Sequence, residues 1–155
     1  MRDIAPARRD SLYTPTTPVP DTPPLVLVVD DYPDAREMYA EWLRVCGYRV
    51  AVAGAVGEAL ELARGLHPAA ILMDLSLPGV DGFEATRELK SDPRTRHMPV
   101  LALSGHVGAD TARRALEAGC DGFLVKPTPV QDVVAAIERL VGAAVRTRPA
   151  GPASS

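Results

Sequence analysis

Four places along this 155-residue chain carry side chains that could act together on a charged group. They are the acidic pair Asp30-Asp31, Asp74, the hydroxyl of Ser104, and the pair Lys126-Pro127. Carboxylates that converge without a counterion repel one another and cannot all stay ionised cheaply. A hard divalent cation resolves the conflict. Mg²⁺ (or Mn²⁺) prefers oxygen ligands, keeps several waters, and is typically held by one or two carboxylates plus a phosphoryl oxygen. The Lys126 ammonium is a second positive charge, able to pair with Asp74 and then with a phosphoryl group. Ser104 can donate one hydrogen bond. Together these parts describe a phosphoryl-transfer site with a carboxylate nucleophile, where positioning and charge neutralisation supply most of the catalysis. Asp74 would attack phosphorus and form an aspartyl phosphate.

Each of these residues stands at the end of a short apolar run. Leu25-Val26-Leu27-Val28-Val29 runs into Asp30-Asp31, and residues 70–73 run into Asp74. Residues 100–103 run into Ser104, and 122–125 into Lys126. Continuous apolar runs of this length suit strands buried on both faces, as in parallel sheets. Residues 49–53 make a fifth strand candidate.

Amphipathic helices fill the intervals. Pro33 suits a first helical position, Ala35, Met38, Tyr39, Trp42, Leu43 and Cys46 recur at helical spacing, and Gly47 supplies the stop. Val56, Ala59, Leu60 and Ala63 mark a second helix, closed before Pro68. Residues 83–90 make a third, and 109–118 a fourth with a thin apolar stripe ended by Gly119. Thr128 reads as the N-cap and Pro129 as the first helical position of a fifth helix, with Val130, Val133, Val134, Ile137, Leu140 and Val141 as its stripe. Five β-α units imply an open parallel sheet with helices on both faces. In such sheets the functional crevice lies at the carboxyl ends of the strands, where the polar residues fall.

Residues 25–142 account for one domain of ordinary size. Residues 1–24 hold six of the fifteen prolines and few large apolar side chains, and read as a disordered arm; residues 143–155 read as a disordered tail, so no output domain is expected to follow. A formal net charge of −3 argues against a nucleic-acid partner. No segment is apolar for long enough to cross a membrane, and no secretory signal is visible, so the expected location is the cytoplasm. Cys46 and Cys120 have no partner motif and read as small buried hydrophobes. The three histidines, His67, His97 and His106, show no metal-ligand spacing. Arg113-Arg114 reads as a solvated helix face.

The sequence resembles the receiver domains of bacterial two-component response regulators over residues 25–142. Asp30-Asp31 carries the resemblance, with Met73-Asp74-Leu75-Ser76-Leu77-Pro78-Gly79-Val80-Asp81-Gly82, Leu103-Ser104-Gly105, and Ala118-Gly119-Cys120-Asp121-Gly122-Phe123-Leu124-Val125-Lys126-Pro127. The spacings also suit, thirty residues from Asp74 to Ser104 and twenty-two on to Lys126. The resemblance implies a flavodoxin-like α/β fold, doubly wound, with strand order 2-1-3-4-5 and five helices. It implies that Asp74 is the phosphoacceptor, and that Asp31 with Asp30, Asp74 and the backbone carbonyl of Ser76 hold the metal. Ser104 and Lys126 would contact the phosphoryl group, Ser104 and Phe123 would serve as switch residues, and Lys126-Pro127 would be a cis bond. Ser76 and His106 fall where the family tunes dephosphorylation. The implied partners are a sensor histidine kinase or a histidine phosphotransfer protein, and a downstream protein docking on the face of the fourth helix, fifth strand and fifth helix; a homodimer is left open. The domain would catalyse only its own phosphorylation and dephosphorylation.

Singly, these residues have plainer readings. A strand-end aspartate is often a helix cap, Ser104 could be a turn hydroxyl, Lys126 a surface lysine and Phe123 core packing. Two other functions fit the fold. One is a protein-binding module that never uses phosphorylation; the intact acids and Lys126 argue against it. The other is a nucleotide or flavin binder, which needs a phosphate-cradling loop after the first strand. Asp30-Asp31-Tyr32-Pro33 would instead repel a bare phosphate.

Overall fold

The computed structural model describes residues 22–76, 82–105 and 109–147, the side chains of 109 and 144–147 excepted. Strands β1 (Leu25–Val29), β2 (Arg49–Ala53), β3 (Ala70–Asp74), β4 (Val100–Ser104) and β5 (Gly122–Val125) alternate with helices α1 (Pro33–Val45), α2 (Val56–Leu66), α3 (Gly82–Ser91), α4 (Ala109–Ala118) and α5 (Val130–Thr147). The strands pair in parallel in the order β2-β1-β3-β4-β5, as expected for the flavodoxin-like arrangement.

Every residue of β1, β3 and β4 is buried, because helices cover both faces. Alternation along the strands divides the core in two. Val26, Val28, Leu72, Leu101 and Leu103 face one side, with Tyr39 and Leu43 of α1 and Val133 and Ile137 of α5. Leu27, Val29, Ile71 and Met73 face the other, with Ala59 and Ala63 of α2, Phe83 and Leu89 of α3 and Ala115 of α4. The edge strand β2 is less covered and begins with exposed Arg49, whose backbone N–H and Nε donate to the carbonyls of Pro24 and Pro23, both at 2.9 Å.

Two helices end alike. After α1 the N–H of Gly47 donates to Arg44 O and that of Tyr48 to Leu43 O; after α4 Gly119 donates to Leu116 O and Cys120 to Ala115 O. This double closure needs a left-handed residue, and the glycines supply it with φ of 99° and 107°. Both turns deliver the chain back to the amino end of the next strand.

Three expectations need correction. Helix α5 begins at Val130, one residue late: the Pro129 carbonyl accepts from Asp132 and Val133 at 2.9 and 3.4 Å, the first bonds of the helix, so Pro129 stands at the N-cap rather than at the first helical position. It continues to Thr147 rather than yielding to a tail at 143. Alanines there read as tail composition, yet they favour helix. Cys46 is exposed, since it caps the end of α1 rather than continuing its buried stripe; Cys120 is buried.

Helix α3 starts hard against the end of β3. A Cβ on Gly82 would lie 2.6 Å from Leu75 Cα and 2.7 Å from Asp74 O, and neither backbone atom can yield without moving the strand end. Gly82→Ala is therefore expected to destabilise the fold by about 1–3 kcal/mol. Urea unfolding would read this as a lower midpoint at unchanged slope, and an unchanged midpoint would contradict so close an approach.

Candidate functional site

The strand register brings the sequence-selected residues together. Val29 lies beside Ala53 and Met73, Asp74 beside Leu103, and Ser104 beside Val125. Asp30, Asp74, Ser104 and Lys126 therefore end adjacent strands at one edge. Backbone bonds lock that edge: Asp30 N–H donates to Ala53 O (3.1 Å), Leu75 N–H to Leu103 O (2.9 Å) and Lys126 N–H to Ser104 O (2.7 Å). The Lys126-Pro127 peptide is cis. Phe123, half-buried on β5 beside Ala102, packs into the α2, α3 and α4 side of the core. Ser76 lies in the turn after β3, while His106 and residues 77–81 lie outside the described residues.

Asp30 is 2% exposed, Asp74 4% and Ser104 1%, whereas Asp31 is open to solvent. One carboxylate oxygen from each of Asp30, Asp31 and Asp74 lies within 4.8 Å of the others. Lys126 Nζ stands 3.5 Å from Asp74 Oδ2 and 3.7 Å from Asp30 Oδ2, ion-pair separations at or beyond hydrogen-bond length. Each buried acid spends one oxygen on the backbone: Asp30 Oδ1 accepts from Tyr32 N–H at 3.0 Å, and Asp74 Oδ1 from Ser76 N–H at 2.9 Å. Asp30 Oδ2 is buried and has no hydrogen-bond partner.

The electrostatics follow. Burial pushes the Asp30 carboxyl above its ordinary range; the Tyr32 N–H and Lys126 oppose this, and Asp74 and Asp31 add to it. Burial alone would lower the Lys126 ammonium, but Asp74 and Asp30 outweigh it and hold the lysine above its usual value. The site is thus a pocket of excess negative charge with one cation already in it. A buried carboxylate oxygen without a donor, within reach of two further carboxylates, is a donor set that fits a hard, oxygen-seeking divalent ion.

Residues 26–138 match the family model for the response regulator receiver domain. The chain belongs to the response regulator receiver family. Over 117 residues this receiver is 34% identical to the polar-differentiation response regulator DivK of Brucella ovis, spanning 76% of this chain and 95% of the relative. Among solved structures it is similar to a putative response regulator from Chloroflexus aurantiacus (30% identity, TM-score 0.74, 78% of this chain and 99% of that one). It is also similar to the receiver domain of the sensor histidine kinase PA1611 from Pseudomonas aeruginosa (30% identity, TM-score 0.72, 78% and 99%), a structure with a magnesium ion coordinated in the active-site cleft. As a receiver, the chain is a two-component signalling domain. No helix among its described residues is long and apolar enough to cross a membrane.

Sequence reading missed two residues at this receiver's site. Tyr39, expected only as part of the α1 stripe, is buried, and Lys126, Asp30 and Asp74 all act on its phenol, whose pKa burial raises. Arg36, which drew no notice, donates from Nη1 to the Asp30 carbonyl at 3.1 Å. Helical spacing put Tyr39 on the core face, but nothing in the sequence signals the Arg36 contact. Elsewhere, Arg113 pairs with Asp110 and Glu117 on the outer face of α4, while Arg114 is not simply solvated: its guanidinium lies 4.1 Å from the centre of the Phe83 ring.

Proposed function

We propose that this receiver accepts a phosphoryl group on Asp74 from the phosphohistidine of a sensor histidine kinase or a histidine phosphotransfer protein. The observation that carries the reading is the cluster itself: three carboxylates within 4.8 Å, one buried oxygen without a donor, and Lys126 set against two of the acids. Asp30, Asp31, Asp74 and the backbone carbonyl of Ser76 would hold Mg²⁺ (or Mn²⁺). The bound ion supplies the positive charge that offsets the acids and the phosphoryl oxygens.

An Asp74 carboxylate oxygen attacks phosphorus as the bond to the donor's imidazole nitrogen breaks, and the electron pair leaves with the imidazole, which takes a proton from solvent. Lys126 is already poised beside Asp74 and pairs with the phosphoryl oxygens that arrive there. The Ser104 hydroxyl donates to a phosphoryl oxygen, and the half-buried Phe123 couples that change to α4. The face of α4, β5 and α5 then takes a downstream protein, or the phosphoryl group is relayed onward. The chain acts on itself rather than on a separate substrate, and we place it in the cytoplasm, with a Pro-rich N-terminal arm and a C-terminal extension flanking the domain.

A beryllofluoride mimic of the phosphoryl group tests this reading. With Mg²⁺ present, amide shifts are expected to concentrate at Asp74, Ser104 and Lys126 and to spread over α4, β5 and α5. A spectrum unmoved by beryllofluoride and Mg²⁺ would favour a binding module that does not use phosphorylation.

A further inference from the structure

Asp30 is fixed by three contacts. Its N–H donates to Ala53 O, its Oδ1 accepts from Tyr32 N–H, and its carbonyl accepts from Arg36 Nη1. The first two come from neighbouring backbone and follow from the strand register and the turn. The third is made by a long side chain reaching back from α1. With Oδ1 taken by Tyr32, Oδ2 is the oxygen that faces Lys126.

The guanidinium has a seat. A Cβ on Gly54, just past the end of β2, would lie 2.6 Å from Arg36 Nη1, so the missing side chain is the space that Arg36 occupies. Around that seat the Gly54 N–H donates to Glu58 Oε1 at 3.1 Å, and the Arg36 N–H donates to Tyr32 O at 3.0 Å. Arg36 Nε is buried without a partner, so the hydrogen bond that the guanidinium makes at this seat is the one from Nη1 to the Asp30 carbonyl.

We propose that Arg36, seated on Gly54, is a positioning residue for the metal-binding acid Asp30. By holding the Asp30 carbonyl it fixes the β1–α1 turn from which the carboxylate is presented. The inference rests on the reading of Asp30, Asp31 and Asp74 as a cation site. Position and charge make opposite predictions. If Arg36 mattered only as a nearby positive charge, removing it would tighten cation binding; if it orients Asp30, removing it weakens binding.

The test uses the full chain and Mn²⁺ as the probe, with free ion counted by electron paramagnetic resonance, on wild type, Arg36→Met and Gly54→Ala. Gly54→Ala keeps every charge and displaces only the flexible end of Arg36. Both variants are expected to bind Mn²⁺ about tenfold more weakly, the range seen when groups behind a metal ligand are removed. Their thermal midpoints in EDTA are expected to stay within about 3 °C of wild type, a small shift for a domain of this size. Unchanged or tighter Mn²⁺ binding in both variants would overturn the proposal. So would weaker binding matched by a large fall of both EDTA midpoints, which would mark Arg36 as a packing residue. A wild type that binds no Mn²⁺ would instead remove the cation site itself, a failure visible before either variant is made.

Discussion

Lys126→Met is expected to slow phosphoryl acceptance by about a hundredfold or more, the loss typical when one preorganised positive group or donor is removed from a charged transition state. The same change should lower the stability of the metal-free domain at neutral pH by about 2 kcal/mol. That is less than the 3–5 kcal/mol of a fully buried broken pair, because the lysine side chain retains 29% exposure. The reason is geometric: Lys126 stands within 3.7 Å of both buried acids, and without it Asp30 and Asp74 face each other uncompensated. The pH dependence fixes the sign. Asp30 already has a folded pKa above its unfolded value of 3.8, and Lys126 is one of the groups restraining the rise. Between its unfolded and folded pKa values, a carboxyl raised on folding is protonated in the folded state while still ionised in the unfolded one. Its penalty is fully present above the folded pKa and is relieved as pH falls through it. Lys126→Met should therefore regain part of its lost stability on acidification from neutrality. Urea unfolding in EDTA across that range checks this; a deficit constant with pH would show that the lysine contributes packing rather than charge.

Asp30→Asn should invert the order of stability between metal-free and metal-loaded conditions. In EDTA the variant is expected to be more stable than wild type by about 1 kcal/mol, because it removes a buried charged oxygen that lacks a hydrogen-bond donor. With Mg²⁺ at a hundred times its dissociation constant the wild type gains about 2.7 kcal/mol, and a variant that has lost a ligand does not. The two stabilities should cross as Mg²⁺ is raised. Thermal unfolding over a Mg²⁺ series measures the crossing point, and parallel curves would separate Asp30 from cation binding.

Much of this was readable in the sequence, for identifiable reasons. Covered strands demand unbroken apolar runs, so β1 and β5 fall at the boundaries expected of them, while β3 and β4 each extend one residue further, onto Asp74 and Ser104. Because parallel strands all point one way, polar residues that end those runs must share an edge. The misses lie where the outcome depends on what the chain meets after folding. Arg36 acquires its contact only because β1 and β2 pair with Val29 beside Ala53, bringing Gly54 under α1. Cys46 fell at helical spacing but one residue past the end of α1, where the turn at Gly47 leaves it exposed. The start of α5 differs by one residue because Pro129, which suits a first helical position, stands at the N-cap, its carbonyl accepting the first helical bonds.

If Asp74 takes a phosphoryl group with help from a divalent ion, the intact mass of the protein shows it directly after incubation with a small-molecule phosphodonor, with Mg²⁺ or with EDTA, for wild type and Asp74→Asn. One added phosphoryl group is expected on wild type with Mg²⁺, none in EDTA, and none on Asp74→Asn under either condition. Equal labelling of Asp74→Asn, or labelling that ignores Mg²⁺, would contradict it.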